Sequence, residues 1–193
     1  MKKEDLRILK TKASLYRTLI ELMKDEEFEK IKISEICTKS MINRSTFYDH
    51  FNDKYELLES FMNDLKKELE ESIKIDIETN SIKEYYMEIL KAMLEYIDDN
   101  KEIYSSMVKI NSNSIAKDMM IEAVLKAVNN KINNRFINKS EIPTKEIVLF
   151  YASGVINVLI YSLQDLKTFD KEKVFHTISE LIPEIEFIVP NKK

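Results

Sequence analysis

The stretch Ile33 to Leu58, ISEICTKSMINRSTFYDHFNDKYELL, gathers side chains whose chemistry suits the edges and phosphates of DNA. Arg44 carries paired donors that match O6 and N7 of guanine, Thr46 a methyl for thymine, and Asp49 an acceptor for N4 of cytosine. Ser45 stands where a hydroxyl reads a base. Tyr48, His50 and Lys54 are donors of the kind that hold phosphate oxygens, together with backbone amides at a helix N-terminus. Asp49 also has a plainer reading as a helix cap, and Arg44 serves a phosphate as readily as a base.

Such residues read bases only if a short helix presents them. Ser34 is placed to N-cap a helix over Glu35–Lys39, and Asn43 to cap a second over Arg44–Phe51. Phe47 and Phe51 stand four apart, so both point inward, while Ser45, Thr46 and Asp49 point away from them. Ile36, Cys37 and Ser40 are small or apolar where the first short helix meets the second. Two short helices separated by a few residues and braced by longer ones form a helix-turn-helix. The bracing helix before them spans about Asp5–Lys24, with Leu6, Leu9, Ala13, Tyr16, Ile20 and Met23 as its apolar stripe. Asp53 caps the long helix after them, striped by Tyr55, Leu58, Met62, Leu65 and Leu69, which links the two parts of the chain.

Composition points the same way. A chain of 193 residues with 44% hydrophobic residues, one glycine and three prolines lacks the punctuation of hairpins and phosphate loops. The expected fold class is all-α, with about nine helices: a helix-turn-helix domain over 1–53 and a second helical domain over 54–193. Beyond the breaks at Asn80–Ser81 and Pro143, helices are expected at about Ile82–Asp98, Lys101–Ile110, Ser114–Phe136, Thr144–Leu166 and Lys171–Ile188, the last kinked or ended by Pro183. The net charge of −4 is uneven: residues 1–54 hold 12 Lys and Arg against 10 Asp and Glu, and the remainder 18 against 24. Only the N-terminal part is suited to lie along a phosphate backbone.

An enzyme is hard to build from this chain. One glycine excludes a P-loop, a dinucleotide-binding turn and a nucleophile elbow. Two histidines and one cysteine leave no zinc set and no triad, so neither metal nor cofactor is expected. Cys37 reads as a small core residue in a reducing cytoplasm, and His176 as a surface residue. The charge-free run Ile147–Leu163 approaches membrane-spanning length, but Ser153, Gly154, Asn157 and Ser162 interrupt it, so a helix buried on two sides is expected and no membrane partner.

The segment Asn43 to Phe51, followed by Lys54 and Leu57 or Leu58, resembles the signature of TetR/AcrR-type transcriptional regulators over about Lys12–Phe61. The Arg-Ser-Thr-Phe-Tyr variant resembles a subset that includes regulators of dihydroxyacetone utilisation. The resemblance implies a homodimeric repressor on an inverted-repeat operator, modulated by a small molecule bound in the C-terminal body, with the last two long helices forming the dimer interface. Two positions depart from the pattern. Met41 stands in the turn where glycine is usual, which predicts a turn without positive φ, and Ser45 replaces a second common glycine.

In the body, Tyr85, Met93, Tyr96, Tyr104, Met107, Met119 and Phe150 are soft or aromatic residues suited to an apolar effector pocket, though such stripes equally build cores. No cluster of Arg or Lys stands among them, so an apolar or aromatic effector is expected rather than a sugar phosphate. Ser153, Gly154, Asn157, Tyr161, Phe175 and Ile178 are the expected interface residues on the last two helices. The competing reading is a helical protein-interaction module of the same fold that has lost DNA binding.

Overall fold

The computed structural model describes residues 3–72, 82–111, 115–133, 137–138, 144–182 and 187–188. Among them run nine helices: α1 (Lys3–Met23), α2 (Ile33–Ser40), α3 (Arg44–Tyr48), α4 (Lys54–Ser72), α5 (Ile82–Asp99), α6 (Lys101–Asn111), α7 (Ile115–Asn133), α8 (Thr144–Leu163) and α9 (Lys171–Leu181). The expected all-α architecture is present, with one addition. Ile137–Asn138 (β1) and Phe187–Ile188 (β2) pair as a short antiparallel ribbon. The last helix was expected to reach Ile188. It stops at Leu181, and Ile182 is extended, the conformation favoured before a proline such as Pro183. Asn80, Ser81, Pro143 and Pro183 lie outside the described residues.

Helix starts follow local chemistry. Asp53 caps α4, its Oδ1 accepting from the amides of Tyr55 and Glu56 at 2.8 and 2.9 Å. Asp170 does the same for α9 through Glu172 and Lys173. The start of α2 differs from expectation. Ser34 lies inside the helix, Lys32 is the N-cap, and Glu35 reaches back to accept from the Lys32 amide at 2.7 Å. A carboxylate three residues into a helix satisfies the same orphan amide that a serine hydroxyl would.

The buried side of α1 is Leu15, Leu19, Leu22 and Met23, whereas Leu6 and Leu9 of the expected stripe are exposed. These buried residues join Phe28, Ile31, Ile36, Cys37, Phe47, Phe51, Leu57 and Leu58 in one core. That core also takes Met107 from α6 and Ala116 from α7, with Met119 and Met120 against it. The helix-turn-helix is therefore packed directly on the body. A second core, of Met87, Leu90, Leu94, Leu159, Val174 and Ile178, holds α5, α8 and α9 together.

The run from Lys145 to Leu163 has a mean hydropathy of 1.7 and is long and apolar enough to cross a membrane. In the fold it is a helix with two different faces. Val148, Ala152, Ile156, Leu159 and Leu163 are buried inside the protomer. Phe150, Gly154, Asn157 and Tyr161 look outward, with Phe150 73% and Tyr161 78% exposed.

Candidate nucleic-acid interface

The residues of α3 divide as the wheel requires. Phe47 is fully buried and Phe51 nearly so, their rings 5.9 Å apart. Asn43, Arg44, Ser45, Tyr48 and Asp49 are exposed, and Thr46 and His50 are half-buried. Tyr48 stacks edge-on against Phe47 at 5.5 Å, which holds its exposed phenol outward. Arg44 has no ion pair among the described residues, so its guanidinium is free for a ligand. The helix proper ends at Tyr48, shorter than the expected Phe51. The amides of His50 and Phe51 still bond to the Phe47 carbonyl, so Asp49 and His50 continue the same curve. Asn43 occupies the N-cap position without a side-chain capping bond, leaving its amide group outward.

The turn before α3 contradicts expectation. Met41 adopts φ 56° and ψ 34°, the left-handed conformation, with its amide bonded to Thr38 O and its side chain 92% exposed. The sharp reversal from α2 into α3 demands this geometry whatever residue stands there, and the backbone bonds at the α2 C-terminus, including Ile42 N to Cys37 O at 3.0 Å, enforce it. Glycine would adopt it without the Cβ clash. Met41→Gly is therefore expected to raise the unfolding free energy by about 1 kcal/mol, readable as an upward shift of the urea midpoint at unchanged m-value. A lower midpoint would show that the exposed methionine makes a contact that outweighs the strain. A shallow cleft beside this turn is lined by Ser34, Thr38, Met41, Asn43 and Arg44, among others, and faces the same side as α3. Cys37 also lines it. Burial raises its thiol pKa while the nearby Arg44 opposes the shift, which leaves a neutral thiol rather than a reactive thiolate.

Lys54, expected at a phosphate, has its ammonium turned inward. Its Nζ donates to the carbonyls of Phe28, Glu29 and Ile31 at 2.8, 2.7 and 2.8 Å. It also lies over the rings of Phe28 and Tyr55 at 5.0 and 5.6 Å. An ammonium has three donors, and all are used within the protein. Burial lowers its pKa, and Glu29, Glu26 and Glu35 partly restore it. Lys54 therefore staples the α1–α2 connection to the start of α4 rather than offering its charge to a phosphate.

Tyr104 links most of the residues expected in the body: it packs against the core that holds Met107 and takes Met119, and it shares with Met93 the small core of Ile97, Val108 and Leu163. Met107 and Met119 belong to the seam beneath the helix-turn-helix. Tyr96 and Tyr104 pair at 6.0 Å, Met93 packs in the α5–α8–α9 core, Tyr85 lies buried beside Glu70, and Phe150 points outward. Of the expected interface residues, Gly154, Asn157 and Tyr161 lie on the open face of α8, with Ser153 half-buried at its edge. Phe175 packs against the second core. Ile178, 1% exposed, is buried within it, so it meets α5 of its own protomer rather than a partner. Residues that spacing does not reveal are Asn111 and Glu29, which fasten the helix-turn-helix to the body. The one sequence hint is a polar side chain, Asn111, one turn beyond Met107 on an otherwise apolar face.

Comparison with known proteins agrees with this geometry. The sequence pattern of the bacterial regulatory proteins of the tetR family matches residues 15–61. That of the transcriptional regulator C-terminal region matches residues 84–184, more than half of the chain. The uncharacterized HTH-type transcriptional regulator YxbF of Bacillus subtilis (strain 168) is 36% identical over 62 residues, covering 32% of this chain and 16% of that protein. Among solved structures, a TetR transcriptional regulator from Streptococcus agalactiae 2603V superposes with a TM-score of 0.61 at 21% identity, over 92% of this chain and 96% of that one. The dihydroxyacetone kinase operon activator DhaS superposes with a TM-score of 0.51 at 21% identity, over 89% and 93% of the two chains. An exposed Arg44–Tyr48 face on a buried Phe47–Phe51 anchor, with the tetR pattern spanning it and the regulator C-terminal pattern covering the body behind it, leads to one assignment: the chain belongs to the tetR family of bacterial regulatory proteins, the helix-turn-helix transcriptional regulators.

Proposed function

We propose that this protein is a cytoplasmic homodimer that represses transcription from an inverted-repeat operator and is released by a small molecule bound in its helical body. The observation that carries the DNA-binding part is the outward face of α3: Arg44 unpaired, Tyr48 braced by Phe47, and Asn43, Ser45 and Asp49 exposed beside them. The open face of α8 supports dimerisation, because a two-fold partner laid against it covers Phe150 and Tyr161. Two buried hydroxyls support a ligand in the body. Tyr86 Oη and Ser105 Oγ are buried without a hydrogen-bond partner, an arrangement that costs free energy until a water or ligand supplies one. Burial and the nearby Glu70 hold the Tyr86 phenol neutral, so it is available as a donor. The proposed effector is thus mainly apolar or aromatic with a polar group for these hydroxyls. This is a binding role, not a catalytic one.

The test is operator selection from random duplex DNA with the purified full chain. The expected product is an inverted repeat, bound with steep salt dependence. Arg44→Ala should then weaken binding by about 10- to 100-fold per half-site, the worth of one bidentate base contact, so that the two-fold operator loses roughly the square of that, and relax the base preference at one position in each half-site. No duplex retained even at low salt would instead favour the reading of the fold as a protein-interaction module, and Arg44→Ala binding the selected operator like wild type would move the recognition face away from Arg44.

A further inference from the structure

The connection between α1 and α2 is held from both sides by side chains that bond to its backbone. On the body side Asn111, the last residue of α6 and itself buried, does this with one amide group. Its Oδ1 accepts from the Phe28 amide at 2.8 Å. Its Nδ2 donates to the carbonyls of Met23 at 2.9 Å and Met107 at 3.1 Å, with Glu26 O further off at 3.4 Å. Glu29, on the same connection, reaches the other way. Its Oε1 accepts from the amide of Ile115 at 2.6 Å, satisfying an orphan donor at the start of α7. On the far side Lys54 holds the carbonyls of Phe28, Glu29 and Ile31. Met107 and Ala116 fill the space between as part of the N-terminal core.

These bonds change how the helix-turn-helix is attached. The continuous helix α4 is one connection, and a body joined at one line is free to pivot about it. Asn111 and Glu29 supply a second attachment, away from α4, through α6 and α7. Two attachments fix an angle where one does not. The targets are backbone atoms at residues 23, 26 and 28, just before α2, so the orientation of α2 and α3 is set whatever their surface residues are. In a two-fold dimer any pivot of one head is repeated in the other, so the error in the separation of the two α3 helices is doubled.

We propose that Asn111 and Glu29 are positioning residues for DNA recognition: by fastening the α1–α2 connection to α6 and α7, they set the half-site spacing the dimer accepts. The proposal rests on the dimeric operator-binding reading above. Neither residue touches DNA. Asn111 lies beneath the head and Glu29 at its rim, and their effect is on geometry rather than on contact.

The experiment uses the full chain, its selected operator, derivatives with one base pair added to or removed from the centre, and an isolated half-site. One base pair moves the half-sites by about 3.4 Å and turns them by about 35°. Wild type is expected to lose about tenfold or more on either altered spacing, equivalent to about 1.4 kcal/mol. Asn111→Ala is expected to weaken the intact operator about tenfold, to cut the altered-spacing penalty below about threefold, and to leave half-site binding within about twofold. Hydrogen exchange at the Phe28 amide should quicken in the variant, which reports the lost bond directly. Glu29→Ala, at an exposed side chain, tests the same idea should Asn111→Ala fold poorly, and should shift spacing preference in the same direction. Spacing discrimination equal to wild type in the folded variant overturns the proposal, as does half-site binding that falls in step with operator binding, which marks damage to the head itself. Wild type selecting no inverted repeat would instead overturn the operator reading, a separate result seen before any variant is made.

Discussion

Lys54→Met should lower the free energy of unfolding by about 2–4 kcal/mol while leaving the salt dependence of DNA binding unchanged. Methionine keeps most of the stem packed between Phe28 and Tyr55 but removes the ammonium that donates to three carbonyls. A hydrogen bond to a charged group contributes about 1.5–3 kcal/mol net, and water reaching the half-exposed carbonyls once the ammonium is gone keeps the loss below the sum of three. The two ring contacts add a smaller cation–π contribution. Urea denaturation measures the first quantity. The slope of log affinity against log salt measures the second, because each lysine that neutralises a phosphate changes that slope by about 0.9, or about 1.8 for the pair in a dimer. Wild-type stability with a slope reduced by that amount would return Lys54 to the DNA surface and remove it from the hinge of the head.

Gly154→Trp should separate the dimer into folded monomers. Inside the protomer a Cβ at Gly154 meets nothing within 4 Å, so the substitution leaves each subunit's packing untouched. On the outer face it sits between Phe150 and Asn157, one turn from each, with Tyr161 a turn further on. An indole there holds the facing helices apart, and two-fold symmetry imposes the clash twice, for a cost of about 2–6 kcal/mol in association. Converted, that is roughly a 30-fold to 20,000-fold weaker dimer. Light scattering across micromolar concentrations reads the mass, and circular dichroism reads the retained helices. Gly154→Ala separates two causes. Without a facing helix it gains roughly 1 kcal/mol of helix propensity over glycine and nothing else changes. With a close-packed partner it weakens the dimer. A wild-type chain that is monomeric at these concentrations would remove the interface.

The parts of this protein legible in its sequence are those governed by neighbours in the chain. Phe47 and Phe51 are four apart along α3 and the turn that continues it, so their burial, and the exposure of Arg44, Ser45 and Asp49 opposite, follow from local geometry alone. Asp53 caps α4 because its partners are two and three residues away. The single glycine and the long apolar periods announce helices without any tertiary information. Where the reading failed, the deciding partner was distant or carried no sequence identity. The stripe of α1 was drawn through Leu6 and Leu9, but which face is buried depends on where α2, α4 and α6 pack, and they cover Leu15, Leu19 and Leu22. Met41 was expected to avoid positive φ on its own preference, and the reversal into α3 overrode a cost of about 1–2 kcal/mol. Met107 and Met119 have the composition of a pocket, and the fold sets Met107 in the core beneath the head with Met119 against it, a placement that composition cannot give.

Lys54 and Asn111 mark the boundary most clearly. The sequence alone determined that a basic residue opens the helix after Asp53, and it ended the later helix at Ile110, one residue short of Asn111. Apart from the Met107 carbonyl four residues before Asn111, their partners are backbone carbonyls and amides 23 to 88 residues away, and every residue of the α1–α2 connection carries a carbonyl. Only the tertiary structure decided which of these groups lie within hydrogen-bond reach, because burial of the surrounding side chains sets the path of that connection, and its polar atoms must then be satisfied by whatever donors the fold brings near.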